Sequence, residues 1–229
     1  TLSQNYIHNF QKAVEIMVIN AIGYDDLTFT GGVAQNVLIN SKMLNYKNFK
    51  VDPLCNDQGI SLGVANYVLN GSLHVPNVYL GFEPIYNLNI FNDKYSITEA
   101  DLNNVCDIVN TEPMAIYQGR SEQGQRGLGN RSLLINPYTK DALEKINKIK
   151  KWEWYRPFSP IILEEDASDY FKMTMSKSPY MLFVFKSKKD IPLVIAKDGT
   201  SRIQTVGEDN INLYKLLKKF KIKHKLPLL

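Results

Sequence analysis

The sequence has few cysteines and no long apolar runs. Its 229 residues include only two cysteines, Cys55 and Cys106, which lie in different segments. So few cysteines argue against a disulfide framework and suit a reducing compartment. The longest apolar runs, such as residues 181–185, have the length of a strand, far below the ~20 residues that cross a bilayer. We therefore expect a cytoplasmic protein with no membrane partner.

A strong charge of either sign is also absent, since the formal net charge is only +4 at pH 7. Part of this charge comes from a lysine run near the end of the sequence. Because Phe220 is the single aromatic residue among these lysines, we interpret the run as the solvated face of a helix and expect no nucleic-acid partner. The run consists of Lys215, Lys218, Lys219, Lys221, Lys223 and Lys225.

What is present is enough apolar material for two domains. Hydrophobic residues make up 44% of the chain, and its length allows one large domain or two of roughly 100 residues. Between residues 71 and 93 the composition shifts to glycine, proline and asparagine, which is typical of a linker. We predict a first domain over residues 1–75, a surface linker over 76–94, and a second domain over 95–229.

The first domain shows helices alternating with short strands. An apolar stripe at helical spacing predicts a helix over residues 6–21 that docks on another element. The alternation predicts an α/β layer with a largely buried sheet. The remaining predicted elements are strands at 27–30 and 49–51 and helices at 34–44 and 59–69.

The second domain has more strands than helices. Thr98, with Asp101 three residues later, predicts a helix N-terminus, with Thr98 as the N-cap residue. The apolar segments that follow predict a mixed α+β domain. Its predicted strands lie near residues 114–117, 158–163, 181–185, 193–196 and 203–206.

Two loops of the first domain carry candidate chemistry. Gly31 and Gly32 follow a predicted strand and open a helix, where the free backbone N–H groups could meet phosphate or ribose oxygens. Tight packing of the helix on the strand would explain the two glycines equally well. Asp57 lies in the loop before the next helix, where it could ligate a metal, accept a hydroxyl proton, or cap the helix.

The strongest signal is a glycine-rich loop at residues 119–132, which interleaves Arg120, Arg126 and Arg131 with four glycines. Guanidinium groups on a flexible backbone suit bidentate contacts to phosphate oxygens. Salt bridges within the protein, for example to Glu122, are the alternative. Further basic side chains follow downstream at Lys150, Arg156 and Arg202. If the strands bring these cations together, the site can neutralise a triphosphate beside a second phosphate.

Five motifs in order resemble the O-carbamoyltransferases of the NodU and CmcH type. The resemblance spans nearly the whole chain, and five ordered matches are far more specific than any single one. The motifs are Gly-Gly-Val-Ala-Gln-Asn at 31–36, Pro-Leu-Cys-Asn-Asp-Gln-Gly at 53–59, the glycine-rich loop at 119–132, Arg-Pro-Phe-Ser-Pro at 156–160, and Asp-Gly-Thr-Ser-Arg-Ile-Gln-Thr-Val at 198–206.

The resemblance implies a two-domain enzyme. It gives the second half of an actin-like (ribonuclease H-like) α/β domain, followed by a YrdC-like mixed α+β domain. The YrdC-like domain would convert carbamoyl phosphate and ATP, with Mg²⁺, into carbamoyl adenylate, and would release pyrophosphate and phosphate. The actin-like domain would then transfer the carbamoyl group to the hydroxyl of a small-molecule acceptor.

The resemblance also implies roles for individual residues. The catalytic candidates are the arginines that would offset the charge of two phosphorylated substrates, namely Arg126, Arg156 and Arg202. The substrate and nucleotide candidates are Gly31, Gly32, Asn36, Arg120, Arg131 and Lys150. Asp57 would be one ligand of an iron(II)-type metal.

The family's other metal ligands form a His-x-x-x-His pair, a spacing that His8, His74 and His224 do not have. We therefore expect the full-length enzyme to hold the metal and this chain alone to hold it weakly or not at all. The chain starts at Thr1 and ends on the apolar residues 226–229. We expect it to be a fragment whose partner is the missing N-terminal half of the same protein.

Two other functions stay open. Trp152 stands where the family commonly has a basic residue and Ala196 where it generally has histidine, so the chain could be a nucleotide-binding module without catalysis. It could also be a carbamoyl or threonylcarbamoyl transferase acting on tRNA or on a maturation protein, although the domain order argues against this. The sequence leaves the acceptor and the oligomeric state open.

Overall fold

The computed structural model describes residues 2–22, 26–46, 48–87 and 94–229. The chain divides into two compact units, one up to Leu73 and one from His74 onward. This division lies next to the start of the predicted linker. Residues 88–93 of that linker lie outside the described residues.

The first unit alternates helices and strands. Strands β1 and β2 pair in parallel, with Leu27 opposite Phe49 and Phe29 opposite Val51. A parallel pair needs a crossover connection, which α2 provides. The strand residues alternate between half-buried and exposed, so this sheet is less buried than the sequence predicts. The elements are α1 (Leu2–Ala21), β1 (Leu27–Phe29), α2 (Val37–Met43), β2 (Phe49–Val51) and α3 (Ile60–Val68).

Helices α1 and α2 are in contact, and polar side chains contribute to that contact. Glu15 of α1 is buried and forms a salt bridge with Lys42 of α2. Burial alone would raise the pKa of Glu15, but hydrogen bonds from Lys42 and Gln11 outweigh it, so the pKa lies below its ordinary value. The buried carboxylate is thus kept charged by its partners.

The second unit is a mixed α and β structure. Glycine-rich and proline-containing loops connect its short elements, and α7 is its longest helix. The elements are α4 (Leu102–Thr111), β3 (Met114–Tyr117), β4 (Arg131–Leu134), α5 (Ala142–Lys150), β5 (Ile161–Leu163), α6 (Ala167–Tyr170), β6 (Phe185–Lys186), β7 (Thr200–Ser201), β8 (Gln204–Val206) and α7 (Ile211–His224).

The strands of this unit pair in twos. Strands β3 and β4 form an antiparallel hairpin, and β6 and β7 are also antiparallel. Strand β5 pairs in parallel with β8 on one side. On its other side Ile162 forms an antiparallel bridge with Leu228.

One face of helix α7 is buried, and several lysines on its other face form ion pairs. It packs against α4 and β5 through buried side chains that recur at helical spacing, as in an amphipathic helix. Three of its lysines form salt bridges at 2.6–2.9 Å with carboxylates of neighbouring elements. The buried residues are Leu213, Leu216, Leu217 and Phe220.

Three local predictions are wrong. The N-cap of α4 is Asp101 rather than Thr98, because the Asp101 carboxylate accepts from Asn104 N at 2.9 Å and completes a capping box. No strand forms at residues 193–196. Of the strand predicted at 181–185, only Phe185 lies in an observed strand, β6. Met181 and Leu193 have left-handed backbone conformations (φ 54° and 75°), which interrupt an extended run.

The first part of the predicted linker is packed, which differs from the surface position expected for it. Val78 is buried, and its carbonyl oxygen accepts from Gln123 N at 2.7 Å. Gly81 N donates to Ser121 O at 3.0 Å. The Tyr79 hydroxyl donates to Leu128 O at 2.9 Å. This segment therefore runs along the glycine-rich loop of the second unit.

Candidate anion site in the second unit

The glycine-rich loop connects β3 to β4. Gln118 N donates to Asn130 O at 3.1 Å, so the hairpin pairing continues for one step beyond the strands. Both ends of the loop are therefore anchored by hydrogen-bonded residues of the hairpin. The conformation of the loop between them is set by contacts inside the loop.

Glu122 holds the returning half of this loop. Its Oε1 accepts from Leu128 N at 2.6 Å, from Asn130 N at 2.9 Å and from Arg131 N at 3.3 Å. Three backbone donors on one carboxylate oxygen make strong, charge-assisted hydrogen bonds. From the sequence, Glu122 was expected only as a salt-bridge partner. A carboxylate that accepts hydrogen bonds from backbone N–H groups across a loop has no characteristic spacing in the sequence.

Gly129 and Asn130 fix the loop against α7. Gly129 has φ +106°, and a Cβ there would lie 2.3 Å from Leu213 Cδ2, so only glycine fits. Asn130 is buried and donates to Arg120 O at 2.7 Å. Its Oδ1 accepts from Asn210 Nδ2 at 3.0 Å. These contacts place the loop at the start of α7.

Arg131 has its guanidinium committed to the hairpin. Nη1 donates to Gln118 O at 2.7 Å and to Asn130 O at 2.8 Å, and Nη2 donates to Gly119 O at 3.1 Å. The group also lies 3.8 Å from the centroid of the Tyr117 ring. These contacts support a structural role for Arg131, while phosphate contact by it stays a prediction.

Arg120 points away from the base of the loop. It is exposed, donates from Nη1 to Gly81 O at 3.2 Å, and lies 3.5 Å from the Glu83 carboxylate. An exposed ion pair of this kind is weak, so Arg120 remains available to an anionic ligand.

Arg126 and Arg202 are brought together. Arg202 is mostly buried, and burial together with the positive charge of Arg126 lowers its pKa to about 10. Arg202 Nε donates to the neutral Ser159 hydroxyl at 3.0 Å. Within the described residues no carboxylate pairs with Arg202. Two guanidinium groups in a partly dry site without a carboxylate on Arg202 favour binding of an anion.

Lys150 and Arg156 meet at a different point, the ring of Trp152. Lys150 Nζ lies 5.0 Å from the ring centroid and the Arg156 guanidinium carbon 5.8 Å from it. Arg156 Nε also lies 2.6 Å from the Glu153 carboxylate. The six cations predicted for one site are thus divided. Arg126 and Arg202 form one pair, and Lys150 and Arg156 meet at Trp152. Arg131 lies in the hairpin, and Arg120 is exposed on the loop.

The motif at 198–206 builds a tight turn before β8. The Asp198 carboxylate accepts from Thr200 N at 2.9 Å and from Thr200 Oγ1 at 2.6 Å. Burial alone would raise the pKa of Asp198, but the bonds from Thr200 outweigh it, so the pKa is lowered. The turn positions Arg202 between β7 and β8.

A cavity of about 180 Å³ is lined in part by β8. Its lining includes Tyr79, Gln204 and Asn210, together with the carboxylate-bearing Glu164 and Asp209. Burial raises the pKa of the Tyr79 hydroxyl, so Tyr79 is neutral at ordinary pH. The carboxylates make this cavity a poor place for a phosphate.

Comparison with known proteins identifies the family. A family model described as carbamoyltransferase C-terminus matches residues 106–229. An uncharacterized protein of Methanocaldococcus jannaschii is 35% identical over 228 residues, covering 87% of this chain and 44% of that protein. The chain belongs to the carbamoyltransferase family. The matched region contains the glycine-rich loop, the Arg126–Arg202 pair and the Trp152 segment.

Two named relatives narrow the type of carbamoyltransferase. The nodulation protein NolO of Bradyrhizobium diazoefficiens is 33% identical over 96% of this chain and 46% of its own length. The 3'-hydroxymethylcephem-O-carbamoyltransferase of Streptomyces clavuligerus is 31% identical over 85% of this chain and 39% of its own. These relatives confirm the resemblance to the NodU and CmcH type. The chain spans less than half the length of the relatives it matches.

The candidates in the first unit lie at two helix starts. Gly31 has φ +86°, and among the described residues no atom lies within 4 Å of a Cβ built at Gly31 or Gly32, so their packing does not account for these glycines. Asn36 is the N-cap of α2 and accepts from Leu38 N and Ile39 N. Its Nδ2 donates to Gln11 Oε1 at 2.9 Å. Nucleotide contact by these residues stays a prediction.

Asp57 is the metal candidate, and the described residues do not fit a metal site around it. It is exposed at the start of the 3-10 helix Asp57–Gly59. No group of three His, Cys, Asp or Glu side chains that could hold a metal occurs within the described part of the chain. We therefore derive no chemical step through a metal. No described helix is long and apolar enough to cross a membrane.

Proposed function

We propose that the chain is the carbamoyl-activating part of an ATP-dependent O-carbamoyltransferase. The observation that carries this proposal is Arg202, a mostly buried cation beside Arg126 that donates to the neutral Ser159 hydroxyl and pairs with no carboxylate in the part of the chain that the structure describes. A site of this kind is stabilised when a phosphate or pyrophosphate arrives. The family supplies a reaction with two phosphorylated substrates.

In the proposed reaction water hydrolyses carbamoyl phosphate to carbamate and phosphate, and a carbamate oxygen then attacks the α-phosphorus of ATP, which gives carbamoyl adenylate and releases pyrophosphate. Two anionic substrates repel each other in water, and paired guanidinium groups offset that repulsion by holding both in place. Negative charge develops on the β-phosphate oxygens as pyrophosphate leaves. Arg126 and Arg202 are the cations that we assign to this charge.

We assign the second unit to a YrdC-like fold and the first to the end of an actin-like domain, in line with the resemblance. In this proposal the loops at Gly31 and Asn36 border the adenylate, and the carbamoyl group passes to a hydroxyl of a small molecule. The name of the Streptomyces clavuligerus relative, which specifies a hydroxymethyl acceptor, supports the hydroxyl as the acceptor group.

We further propose that the first unit is completed by another part of the same protein. Several large apolar side chains of α1 and α3 are exposed, among them Tyr6, Phe10, Met17 and Tyr67. Clustered exposed apolar groups of this size are typical of interaction surfaces. The relatives are more than twice as long as this chain's matched region, which supports a missing half as the partner.

The proposal is tested by pyrophosphate release from ATP, with and without carbamoyl phosphate. We expect release that requires carbamoyl phosphate and is lost in Arg126→Ala. Lys148→Ala is the matched control, because Lys148 is an exposed cation on α5 with only an exposed i,i+4 partner, and it should leave the rate unchanged.

Other results would change the conclusion. ATP binding by calorimetry without any pyrophosphate release, both here and in the longer protein that includes the remaining half, would favour a nucleotide-binding module without catalysis. Release in the longer protein alone would show that activation needs the missing half.

A further inference from the structure

Both tryptophans of the protein lie in one short segment. Trp152 and Trp154 fall within residues 150–156, which also contain Lys150, Lys151 and Arg156 but a single carboxylate, Glu153. The segment follows the end of α5, where Lys151 has a left-handed conformation (φ 53°) and reverses the chain direction. The turn explains why Lys150 meets the ring of a residue only two positions later.

Trp152 has a structural place in this segment. Its ring stacks on Phe158, with centroids 5.2 Å apart and an interplanar angle of 9°. Lys150 and Arg156 lie over the same ring. Cation–π contacts with an indole ring hold the two charges near each other. Trp152 therefore acts as a platform for two cations.

Trp154 has no such packing. It is 74% exposed and makes an edge contact with Tyr155, at 5.9 Å between centroids and 88° between planes. Lys197, from the loop before β7, lies 5.9 Å from its ring centroid. Single exposed apolar residues are common, but this ring has a cation from a separate loop, Lys197, close to it.

The segment is continuous with the Arg202 site. Phe158, on which Trp152 stacks, is followed directly by Ser159, and the Ser159 hydroxyl accepts from Arg202 Nε at 3.0 Å. A ligand with a flat ring and an anionic tail would complement this arrangement, the ring on the indole and the charge toward the cations.

We propose that Trp154 and its neighbouring cations bind a nucleotide, with the base stacked on Trp154 and the phosphates toward Lys150, Arg156 and the Arg126–Arg202 pair. The identification of that nucleotide as ATP rests on the proposed function. Trp154 would be a specificity residue for the base, since phosphate contacts alone do not distinguish nucleotides from other polyphosphates.

Intrinsic fluorescence tests this directly, because no tryptophan lies outside the segment. The full chain is titrated with ATP, AMP and tripolyphosphate, and emission is recorded. We expect ATP and AMP to quench the emission through base stacking, while tripolyphosphate binds, as seen by calorimetry, with little quenching. Quenching should survive in Trp152→Phe and disappear in Trp154→Phe, which retains a ring that can stack.

The affinity for ATP provides a second readout. Trp154→Ala should weaken ATP binding about tenfold, the order expected for one base–aromatic stack, while Trp154→Phe keeps most of the affinity. Tripolyphosphate affinity should be the same in all three proteins. The exposed ring of Phe82, in a different part of the second unit, gives the control variant Phe82→Ala.

The outcomes separate this assignment from the proposed function. Unchanged ATP affinity in Trp154→Ala would overturn the stacking assignment even if pyrophosphate release is normal. Quenching by ATP without any pyrophosphate release, both here and in the longer protein, would uphold the stacking site and contradict the enzyme. Quenching by a single-stranded oligonucleotide but by neither ATP nor AMP would overturn the assignment in favour of a nucleic-acid surface.

Discussion

The Arg202 guanidinium is positively charged at a mostly buried position, and none of the described carboxylates pairs with it. Its pKa falls well below the ordinary value of an arginine, to about 10, because of burial and the charge of Arg126. A cation whose folded pKa is lowered binds its proton more weakly in the folded state. The stability of the folded protein therefore rises as the pH increases above about 10, and at lower pH the full cost of burying the charge is present.

At pH 7 the Arg202→Gln change should therefore stabilise the ligand-free protein, by roughly 1–3 kcal/mol. Glutamine keeps a donor for the Ser159 hydroxyl while removing the charge. Pyrophosphate should raise the unfolding temperature of the wild-type protein and leave that of the variant unchanged. Thermal unfolding is measured without pyrophosphate and with pyrophosphate at about 1 mM, the upper end of typical substrate affinities. It gives both the change in stability and the response to pyrophosphate.

Arg131→Gln is the contrasting variant for this measurement. Its guanidinium donates three hydrogen bonds to backbone carbonyls, so its loss should destabilise the protein. If Arg202→Gln is as destabilising as Arg131→Gln and still responds to pyrophosphate, Arg202 is a structural residue and not part of an anion site.

Glu122 is the residue that we expect to hold the glycine-rich loop in shape. Glu122→Gln keeps an acceptor oxygen but removes the charge that strengthens three backbone hydrogen bonds. The expected cost is about 1–3 kcal/mol of unfolding free energy, together with faster hydrogen exchange at the amides of Leu128 and Asn130. Urea denaturation and amide exchange measure the two effects.

Glu208→Gln is a suitable control, because Glu208 is an exposed carboxylate in the 3-10 helix before α7. It should change neither quantity by more than a few tenths of a kcal/mol. Equal behaviour of the two variants would mean that the Glu122 charge does not hold the loop.

The composition could indicate the chemistry of the site. It could not indicate which of the basic side chains lie close together in the folded protein. Arginines interleaved with glycines predict phosphate binding, and Arg126 and Arg202 do come together. Sequence could not show that Arg131 turns inward, because the register of the β3–β4 hairpin decides which side chain faces the carbonyls of residues 118 and 119. Trp154 was missed because an exposed aromatic residue has no spacing signature.

At the scale of elements, the approach of α7 to the glycine-rich loop depends on one missing Cβ. Gly129→Ala should destabilise the protein by roughly 2–4 kcal/mol, because it combines a positive φ with a clash against Leu213. Chemical denaturation gives the magnitude. Anion binding should weaken as well, because the loop cannot keep both its shape and its place at the start of α7.

Gly32→Ala provides the matched control for that prediction. Gly32 has no atom within 4 Å of a built Cβ, so alanine should be tolerated with a change below about 1 kcal/mol. If Gly32 borders the adenylate as the resemblance implies, the variant should retain stability but lose nucleotide contact. A large loss of stability in Gly32→Ala would contradict the open position of this loop.

Elements with a full helical or extended pattern could be predicted, whereas those set by single backbone conformations could not. The strand at 49–51 has the predicted bounds, and the α1 and α3 helices differ from prediction by a few residues. Strands β6 and β7 have two residues each, too few for any periodicity. The apolar residues near Met181 and Leu193 predicted strands, but these two residues have left-handed conformations, which no periodicity of the sequence indicates.

At the scale of the whole molecule, the two compact units make different contributions to any spectroscopic signal. Both tryptophans lie in the second unit, so fluorescence follows that unit alone, while far-ultraviolet circular dichroism follows helices of both. Compact units within one chain commonly unfold in separate steps. A difference between the unfolding curves from circular dichroism and from fluorescence would thus report the unfolding of the first unit.

Asn36→Ala tests this separation, because it removes the N-cap of α2 and the Gln11 bond within the first unit. We expect a loss of about 1 kcal/mol that shifts the circular dichroism transition of the first unit in urea and leaves the fluorescence transition unchanged. Glu122→Gln should do the reverse. Coincident shifts of both signals in both variants would instead show that the units unfold together, and the cost of each change would then be shared by the whole chain. If Asn36 only contacted a nucleotide, neither transition would move in the ligand-free protein.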